Sequence, residues 1–145
     1  PYCEELAKAI ITEIRKGNRI DTTTKLRNVI EKTLDFLPNN KEKKDIIKKT
    51  CQRTFQALRI DVNNEFEVLY EFMEKLPGAL KPGGRVAILT FHSGEDKLVK
   101  KALKAGYKEG IYSEYARDVV RPSAQECAQN GRARSTKMRW AVKAE

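Results

Sequence analysis

Apolar residues in the first forty positions recur at steps of three and four, the period at which side chains share one face of a helix. This spacing predicts a first amphipathic helix over residues 4–16, which the pair Gly17 and Asn18 stops. It predicts a second helix soon afterwards, with Asp21 or Thr22 as the N-cap. The chain therefore begins with a helical block.

The helical period continues well into the middle of the chain. Residues 41–49 are heavily charged and predict a solvated helical face. Large apolar residues then keep a three- and four-residue spacing, which predicts one long helix over roughly residues 48–75. Two consecutive asparagines, Asn63 and Asn64, are unfavourable inside that helix, and Pro77 ends or kinks it.

The pattern changes to alternating strands and helices after residue 80. A Pro-Gly-Gly turn leads into a short apolar run that predicts a buried strand. The elements expected here are a strand at 86–89, a helix at 95–105 ended by Gly106, a strand plus loop within 107–120, a short helix opened by the capping box 123–126, and a final strand at 137–143. The fold class predicted is α/β, a helical subdomain (residues 1–49) followed by a long helix and a partial sheet of about three strands (residues 50–145).

The residues that follow the first strand are the leading candidates for a site. Thr90, Phe91 and His92 emerge at its carboxyl end, and in open α/β sheets ligands bind at that edge. Ser93 is predicted to cap the next helix, with Asp96 as the acid of a capping box. The single histidine could hold a polar substrate or move a proton; the alternative is a structural histidine bonded to a local carbonyl.

Charge supplies a second candidate region. The net charge is +9 over 145 residues. From residue 97 onward there are 12 Lys+Arg and 5 Asp+Glu, a balance of +7. Such a basic segment indicates a polyanionic partner, most simply nucleic acid, or else a solvated basic face. Arg132 and Arg134 could bind phosphates. Tyr112, Tyr115 and Trp140 could stack on bases, although Trp140 is rather expected in the core.

Several classes of site are not supported. The three cysteines are far apart and form neither a disulfide framework nor a zinc spacing, so buried or half-buried thiols in a reducing compartment are expected. One histidine cannot make a multi-histidine metal site, and we predict no metal ligands. No glycine-rich phosphate loop, hydrolase triad, membrane span or signal peptide is recognisable.

An ordered set of motifs resembles one known family, the RsmH (MraW) family of S-adenosylmethionine-dependent enzymes that methylate N4 of a cytidine in small-subunit ribosomal RNA. The resemblance runs through essentially the whole chain. The motifs are residues 53–60, Val62-Asn63 with Glu65, residues 80–85, Phe91-His92-Ser93, Glu95-Asp96, Asn130, Arg132, Arg134-Ser135 and Lys137-Met138-Arg139.

The resemblance implies a class I methyltransferase (Rossmann-like) sheet interrupted by an inserted helical domain. Only the later part of the family is matched, so the half that holds the glycine-rich cofactor loop is missing. S-adenosylmethionine is therefore implied as the family's cofactor but is not expected to bind this chain alone, and no residue inherits a catalytic or cofactor role. The family usually has Leu at position 94 and Pro at position 131, where Gly94 and Gly131 would loosen loops.

By position in the family motifs, two groups of residues are implied to bind substrate. Phe91, His92 and Ser93 would line a pocket for the base. Asn130, Arg132, Arg134, Ser135 and Lys137 would organise a loop or grip RNA.

The resemblance also implies partners and a location. The partner would be ribosomal RNA or the small ribosomal subunit. The chain would also either form a homodimer or associate with another chain that supplies the missing half. The location would be the bacterial cytoplasm or an organellar stroma or matrix, without secretion or a membrane. Two other interpretations remain, a non-catalytic remnant that binds RNA or a ribosomal particle, and a structural partner that completes another chain's sheet.

Overall fold

The computed structural model describes residues 1–145 as two compact units, Pro1–Asn63 and Asn64–Glu145. The predicted α/β class is confirmed, with six α-helices and a three-stranded sheet. The predicted boundary between residues 49 and 50 falls inside the third helix. The elements are α1 (Cys3–Arg15), α2 (Thr23–Thr33), α3 (Lys41–Asn63), α4 (Glu65–Ala79), β1 (Arg85–Thr90), α5 (Ser93–Lys108), β2 (Tyr112–Tyr115), α6 (Ala124–Gln129), the 3-10 helix η1 (Gly131–Ser135) and β3 (Lys137–Lys143).

The first unit is a three-helix cluster built from the predicted apolar faces. Ile30 and Leu34 of the α2 segment are fully buried, and Leu6 of α1 and residues of α3 pack with them. Thr22 is the N-cap of α2, and its side-chain oxygen accepts a hydrogen bond from the Lys25 N–H at 3.2 Å, which decides between the two predicted caps. None of the helices in either unit combines the length and apolarity needed to cross a bilayer.

The predicted long helix over 48–75 is wrong, because the segment forms two helices. Asn64 stands between α3 and α4 in the left-handed region, with φ 49° and ψ 43°. Asparagine tolerates this conformation better than most residues. Val62 keeps the apolar spacing and is nevertheless 76% exposed. The spacing of apolar residues thus continues through Asn64, and it carries no signal for the left-handed backbone that ends one helix and starts the next.

The second unit holds a sheet in the order β1-β3-β2. Both outer strands are antiparallel to β3 and therefore parallel to each other. The β1–β3 register runs from Arg85 opposite Val142 to Thr90 opposite Lys137. Helix α5 connects β1 to β2, and together with α4 it covers one face of the sheet. The core there comprises Met73, Leu76, Val99, Leu103, Tyr112 and Ala141.

Two predictions about residues near this core are wrong. Helix α5 does not end at Gly106 but continues to Lys108, and the left-handed residue after it is Gly110, with φ 76°. A Cβ at Gly106 would lie 2.6 Å from the Tyr112 ring, so this glycine serves helix–ring packing. Trp140 is only half-buried, because it alternates with the fully buried Ala141 and points to the opposite sheet face.

A buried ion pair joins α5 to the sheet. Arg139 on β3 donates from Nε to Asp96 Oδ1 at 2.7 Å and from Nη2 to Asp96 Oδ2 at 3.2 Å. Its Nη1 also donates to the Arg117 carbonyl at 3.3 Å, in the segment after β2. These hydrogen bonds hold the pKa of Asp96 below its usual value. Asp96 is therefore not the capping-box acid that the sequence suggested.

We predict that Asp96→Ala lowers the free energy of unfolding by about 3–5 kcal/mol at pH 7, because Arg139 would be left buried without its counter-charge. The folded-state pKa of Asp96 is depressed, so its contribution is present above the unfolded pKa of about 3.9 and is lost as pH falls through the folded value. Urea titrations of both proteins should show a difference that shrinks below pH 4. The exposed Asp118→Ala is the matched control; a difference that does not change with pH would contradict the assignment.

Candidate functional site

Residues 90–93 and 135–137 meet at one edge of the sheet, where β1 and β2 end and β3 begins, and the candidates Asn130, Arg132 and Arg134 precede them at and in η1. We call this the strand-end edge and define it by residues 90–93 and 135–137. Thr90 and Lys137 are the last pair of the β1–β3 ladder, and Thr90 Oγ1 donates to the Lys137 carbonyl at 3.5 Å. The strand register therefore brings together two groups that lie about forty residues apart in the chain.

His92 is the N-cap of α5. Its backbone is extended, with φ −141° and ψ 164°, and its Nδ1 accepts a hydrogen bond from the Glu95 N–H at 3.4 Å. Glu95 Oε2 in turn accepts from the Phe91 N–H at 3.0 Å. Ser93 is the first residue of the helix, so its predicted role as the cap is wrong. The imidazole of His92, one position before Ser93, supplies the hydrogen-bond acceptor that a serine side chain normally provides at an N-cap.

The other nitrogen of His92 lies close to the carboxylate of Glu95. Nε2 lies 3.5 Å from Glu95 Oε1, is buried, and has no hydrogen-bond partner. Glu65, the first residue of α4, joins the group, and the three donor atoms lie within 4.8 Å of one another. Sequence reasoning assigned Glu65 no role at this site, because it precedes His92 by 27 positions and only the fold brings them together.

Phe66 and Gly94 set the position of the imidazole. The Phe66 ring meets the His92 ring edge-on, with centroids 5.8 Å apart and an interplanar angle of 89°. A Cβ at position 94 would lie 2.7 Å from Phe66 Cζ and 3.2 Å from His92 Nδ1. Gly94 is thus the second residue of α5, packed under an aromatic ring. The expectation that it loosens a loop is wrong.

The basic segment forms a capped 3-10 helix. Asn130 Oδ1 accepts from the Arg132 N–H at 3.1 Å, and the buried Ala133 anchors η1 on the unit. Arg132 and Arg134 flank Ala133 and are exposed, Ser135 is exposed, and Lys137 is half-buried at the start of β3. A Cβ at Gly131 would meet no atom within 4 Å. The arrangement presents two guanidinium groups to solvent from a fixed backbone.

The tyrosines do not form the expected stacking surface. Tyr112 is only 3% exposed and packs in the core, where burial raises the pKa of its hydroxyl. Tyr115 is half-buried against Tyr107, with ring centroids 5.1 Å apart. The prediction that Tyr112 stacks on bases is therefore wrong. The aromatic side chain that the strand-end edge exposes is Phe91, at 55%.

Comparison with known proteins fixes the family. Residues 1–144 match the sequence profile of the MraW methylase family. The chain belongs to the MraW methylase family. It is 88% identical over 145 residues to ribosomal RNA small subunit methyltransferase H 1 of Agathobacter rectalis and 69% identical over 144 residues to the protein of that name from Lachnoclostridium phytofermentans.

The MraW match extends over only part of these relatives. The aligned region is all of this chain and 41% of the Agathobacter protein, and 99% of this chain and 39% of the Lachnoclostridium protein. Ribosomal RNA small subunit methyltransferase H 2 of Alkaliphilus metalliredigens is 60% identical over 144 residues, or 41% of its length. The chain thus spans about two-fifths of the length of these relatives.

We predict that Gly94→Leu lowers the free energy of unfolding by about 1–3 kcal/mol, because the new side chain must displace Phe66 and the His92 ring. Thermal or urea unfolding measures the loss. Gly131→Ala, at a position where a Cβ meets nothing, is the control and should leave stability nearly unchanged.

A double variant tests the cause. Phe66→Ala alone opens a cavity, whereas Phe66→Ala in the Gly94→Leu background removes the clash, so the two changes should be strongly non-additive. Additive losses would contradict the contact between these two positions.

Proposed function

We propose that this chain is part of an S-adenosylmethionine-dependent methyltransferase that modifies N4 of a cytidine in small-subunit ribosomal RNA. The match of residues 1–144 to the MraW methylase family carries the proposal. The structure supports it with the strand-end edge, where residues 91–93 and the 3-10 helix η1 meet through the last β1–β3 pair.

The two groups at the edge have separate roles in this proposal. Phe91, His92 and Ser93 line the pocket for the cytosine ring, and the exposed Phe91 ring stacks on an unpaired base. Arg132 and Arg134 bind phosphates of the same strand, with Ser135 and Lys137 beside them. Asn130 holds η1 in place through its cap and thereby positions the arginines.

A base must leave its stack before the exocyclic amine can react, and stacking and phosphate contacts of this kind stabilise an extruded nucleotide. The contribution of these residues is orientation of the amine toward the methyl donor, a source of rate that depends on accurate placement. The His92 cap and the Phe66 contact fix the rotamers at the base-facing side.

We identify no residues at this edge with the pattern that binds a nucleotide-containing methyl donor. At the β1–α5 junction the helix N-terminus is occupied by the His92 ring, and the junction lacks the glycine run that lets a nucleotide cofactor approach backbone N–H groups. No residue of this chain is therefore proposed to hold the methyl donor.

The proposed phosphate contacts predict a salt-dependent effect on RNA binding. Replacing Arg132 and Arg134 together by Ala should weaken binding to a cytidine-containing single-stranded RNA and lower the slope of log K against log salt by about 0.7 for each phosphate that the variant no longer binds. Fluorescence anisotropy at several salt concentrations measures both quantities. Lys104→Ala with Lys108→Ala removes the same charge from exposed positions of α5 and is the control. An equal change of slope in both double variants would contradict specific contacts at η1.

Isothermal titration with S-adenosylmethionine tests the cofactor statement. We expect no micromolar binding by residues 1–145, because no strand-to-helix turn in them cradles a nucleotide. Micromolar binding would contradict that statement and would also exclude the alternative of a non-catalytic RNA-binding remnant. Conversely, RNA binding that is insensitive to changes at 91–93 would favour the remnant.

A further inference from the structure

We propose that Glu95 is a positioning residue for Phe91, whose ring it holds at the strand-end edge in the place where an unpaired base stacks on it. The proposal rests on the function proposed above and adds to it a residue that acts on RNA binding through its neighbour. Both residues belong to the second unit, one on each side of the N-cap of α5.

The backbone of Phe91 lies just beyond the sheet. The β1–β3 ladder ends at the pair Thr90 and Lys137, so Phe91 is the first residue past the paired strands. Its N–H donates to Glu95 Oε2 at 3.0 Å. A hydrogen bond to a carboxylate is stronger than one to a neutral oxygen. The side chain of Glu95 thus supplies a strong acceptor for the residue that leaves β1.

Glu95 is itself held by the helix start to which it belongs. It is the third residue of α5, and its own N–H donates to Nδ1 of the N-cap His92 at 3.4 Å. The Asp96 N–H donates to the His92 carbonyl at 3.2 Å. A glutamate at the third helical position whose carboxylate bonds back to the residues entering the helix is typical of a capping box. Residues 91 and 92 are therefore tied to the first turn of α5.

The two side chains differ in exposure as this role requires. The Glu95 side chain is 22% exposed, so its carboxylate is partly sheltered from the water that competes for the Phe91 N–H. The Phe91 residue is 55% exposed, so packing gives its ring little support. The direction in which such a ring points depends on its backbone, and the bond to Glu95 constrains that backbone.

Pre-organisation connects this bond to RNA binding. Stacking on a base restricts the backbone and the ring of Phe91, and a segment that is already ordered loses less conformational entropy when the base arrives. Without the Glu95 carboxylate, the chain between β1 and the N-cap loses one of its hydrogen bonds. The affinity that comes from base stacking should then fall, while the phosphate contacts of Arg132 and Arg134 remain.

The charge of Glu95 predicts the opposite effect on affinity. A carboxylate repels phosphates, so its removal alone strengthens the binding of a polyanion. Weaker binding after removal of the carboxylate therefore reports the lost hydrogen bond and not the lost charge. Glu95→Gln separates the two contributions, because it removes the charge and keeps an oxygen that accepts from the Phe91 N–H.

Amide exchange tests the contact without RNA. In ¹⁵N–¹H spectra of the whole chain, we expect the Phe91 amide proton of Glu95→Ala to exchange with water several-fold faster than that of the parent, and that of Glu95→Gln to stay protected. Glu109→Ala removes the same charge from an exposed position after α5 and should leave this exchange unchanged. Equal exchange in the parent and in Glu95→Ala, or equal acceleration in Glu109→Ala, would overturn the proposal.

RNA affinity tests the positioning role. By fluorescence anisotropy with an oligocytidylate, Glu95→Ala should bind about three- to tenfold more weakly than the parent, a part of what removal of a stacking ring costs. Glu95→Gln should restore most of the affinity. In the Phe91→Ala background, Glu95→Ala should cause no further loss, because no ring is left to position.

A role of Glu95 in stability alone would weaken binding in both backgrounds, so additive losses would refute positioning, as would a glutamine variant that binds no better than the alanine variant. Phe91→Ala distinguishes this proposal from the proposed function. If it binds as the parent does, the stacking role of Phe91 fails and the positioning role fails with it. If it binds more weakly while Glu95→Ala binds as the parent does, only the positioning role fails.

Discussion

The second unit depends on the buried contact between Asp96 and Arg139. Arg139 lies in the central strand, and its guanidinium reaches both α5 through Asp96 and the carbonyl of Arg117 after β2. Burying two charges carries a desolvation cost that a paired geometry offsets only when its hydrogen bonds are well made. The two parallel bonds at 2.7 and 3.2 Å meet that condition. Asp96 directly follows Glu95 and lies four residues after His92. The contact between Asp96 and Arg139 therefore also fixes the position of the first turn of α5 on the sheet.

The strand-end edge follows from that constraint and from the strand register. The pair Thr90–Lys137 places the exit of β1 beside the entry of β3, and η1 ends shortly before that entry. The exposed Phe91 and the capping His92 consequently lie at the same edge of the sheet as the start of β3, and η1, which carries the two exposed guanidinium groups, leads into that strand. Sites carried by such elements are positioned more accurately than sites on long loops. Both groups of residues named by the MraW resemblance therefore share a scaffold, although no local interaction links them in the sequence.

The features that depend on residues close together in the chain could be predicted from the sequence. The period of α1 and α2, a cap at Asp21 or Thr22, the cap at Ser123, and strands at 86–89 and 137–143 were predicted from the sequence, and the structure places elements at each of them. The errors came from tertiary packing or single backbone dihedrals. Asn64 breaks an unbroken apolar period with one left-handed residue. Gly106 packs against the Tyr112 ring and does not end the helix. His92, and not Ser93, is the N-cap of α5. Residues 91–93 and the basic residues around Arg132 and Arg134 stay candidates from the sequence, whereas the 3-10 helix at 131–135 and the Glu65 and Arg139 contacts required the fold.

The contacts that build this edge all lie within Asn64–Glu145, the second unit. Phe66, which orients His92, and Glu65, which faces it, come from α4 of that unit, and Arg139 comes from its last strand. The geometry of the edge is thus set by interactions that this unit makes with itself. Position 94 illustrates the consequence. A leucine there, which the family resemblance implies as the usual residue, cannot share the space with Phe66 as it stands, so the glycine and the ring form a matched pair in this chain. The start of α5 is consequently positioned by residues at the start of α4, a helix that contributes no residue to the strand-end edge itself.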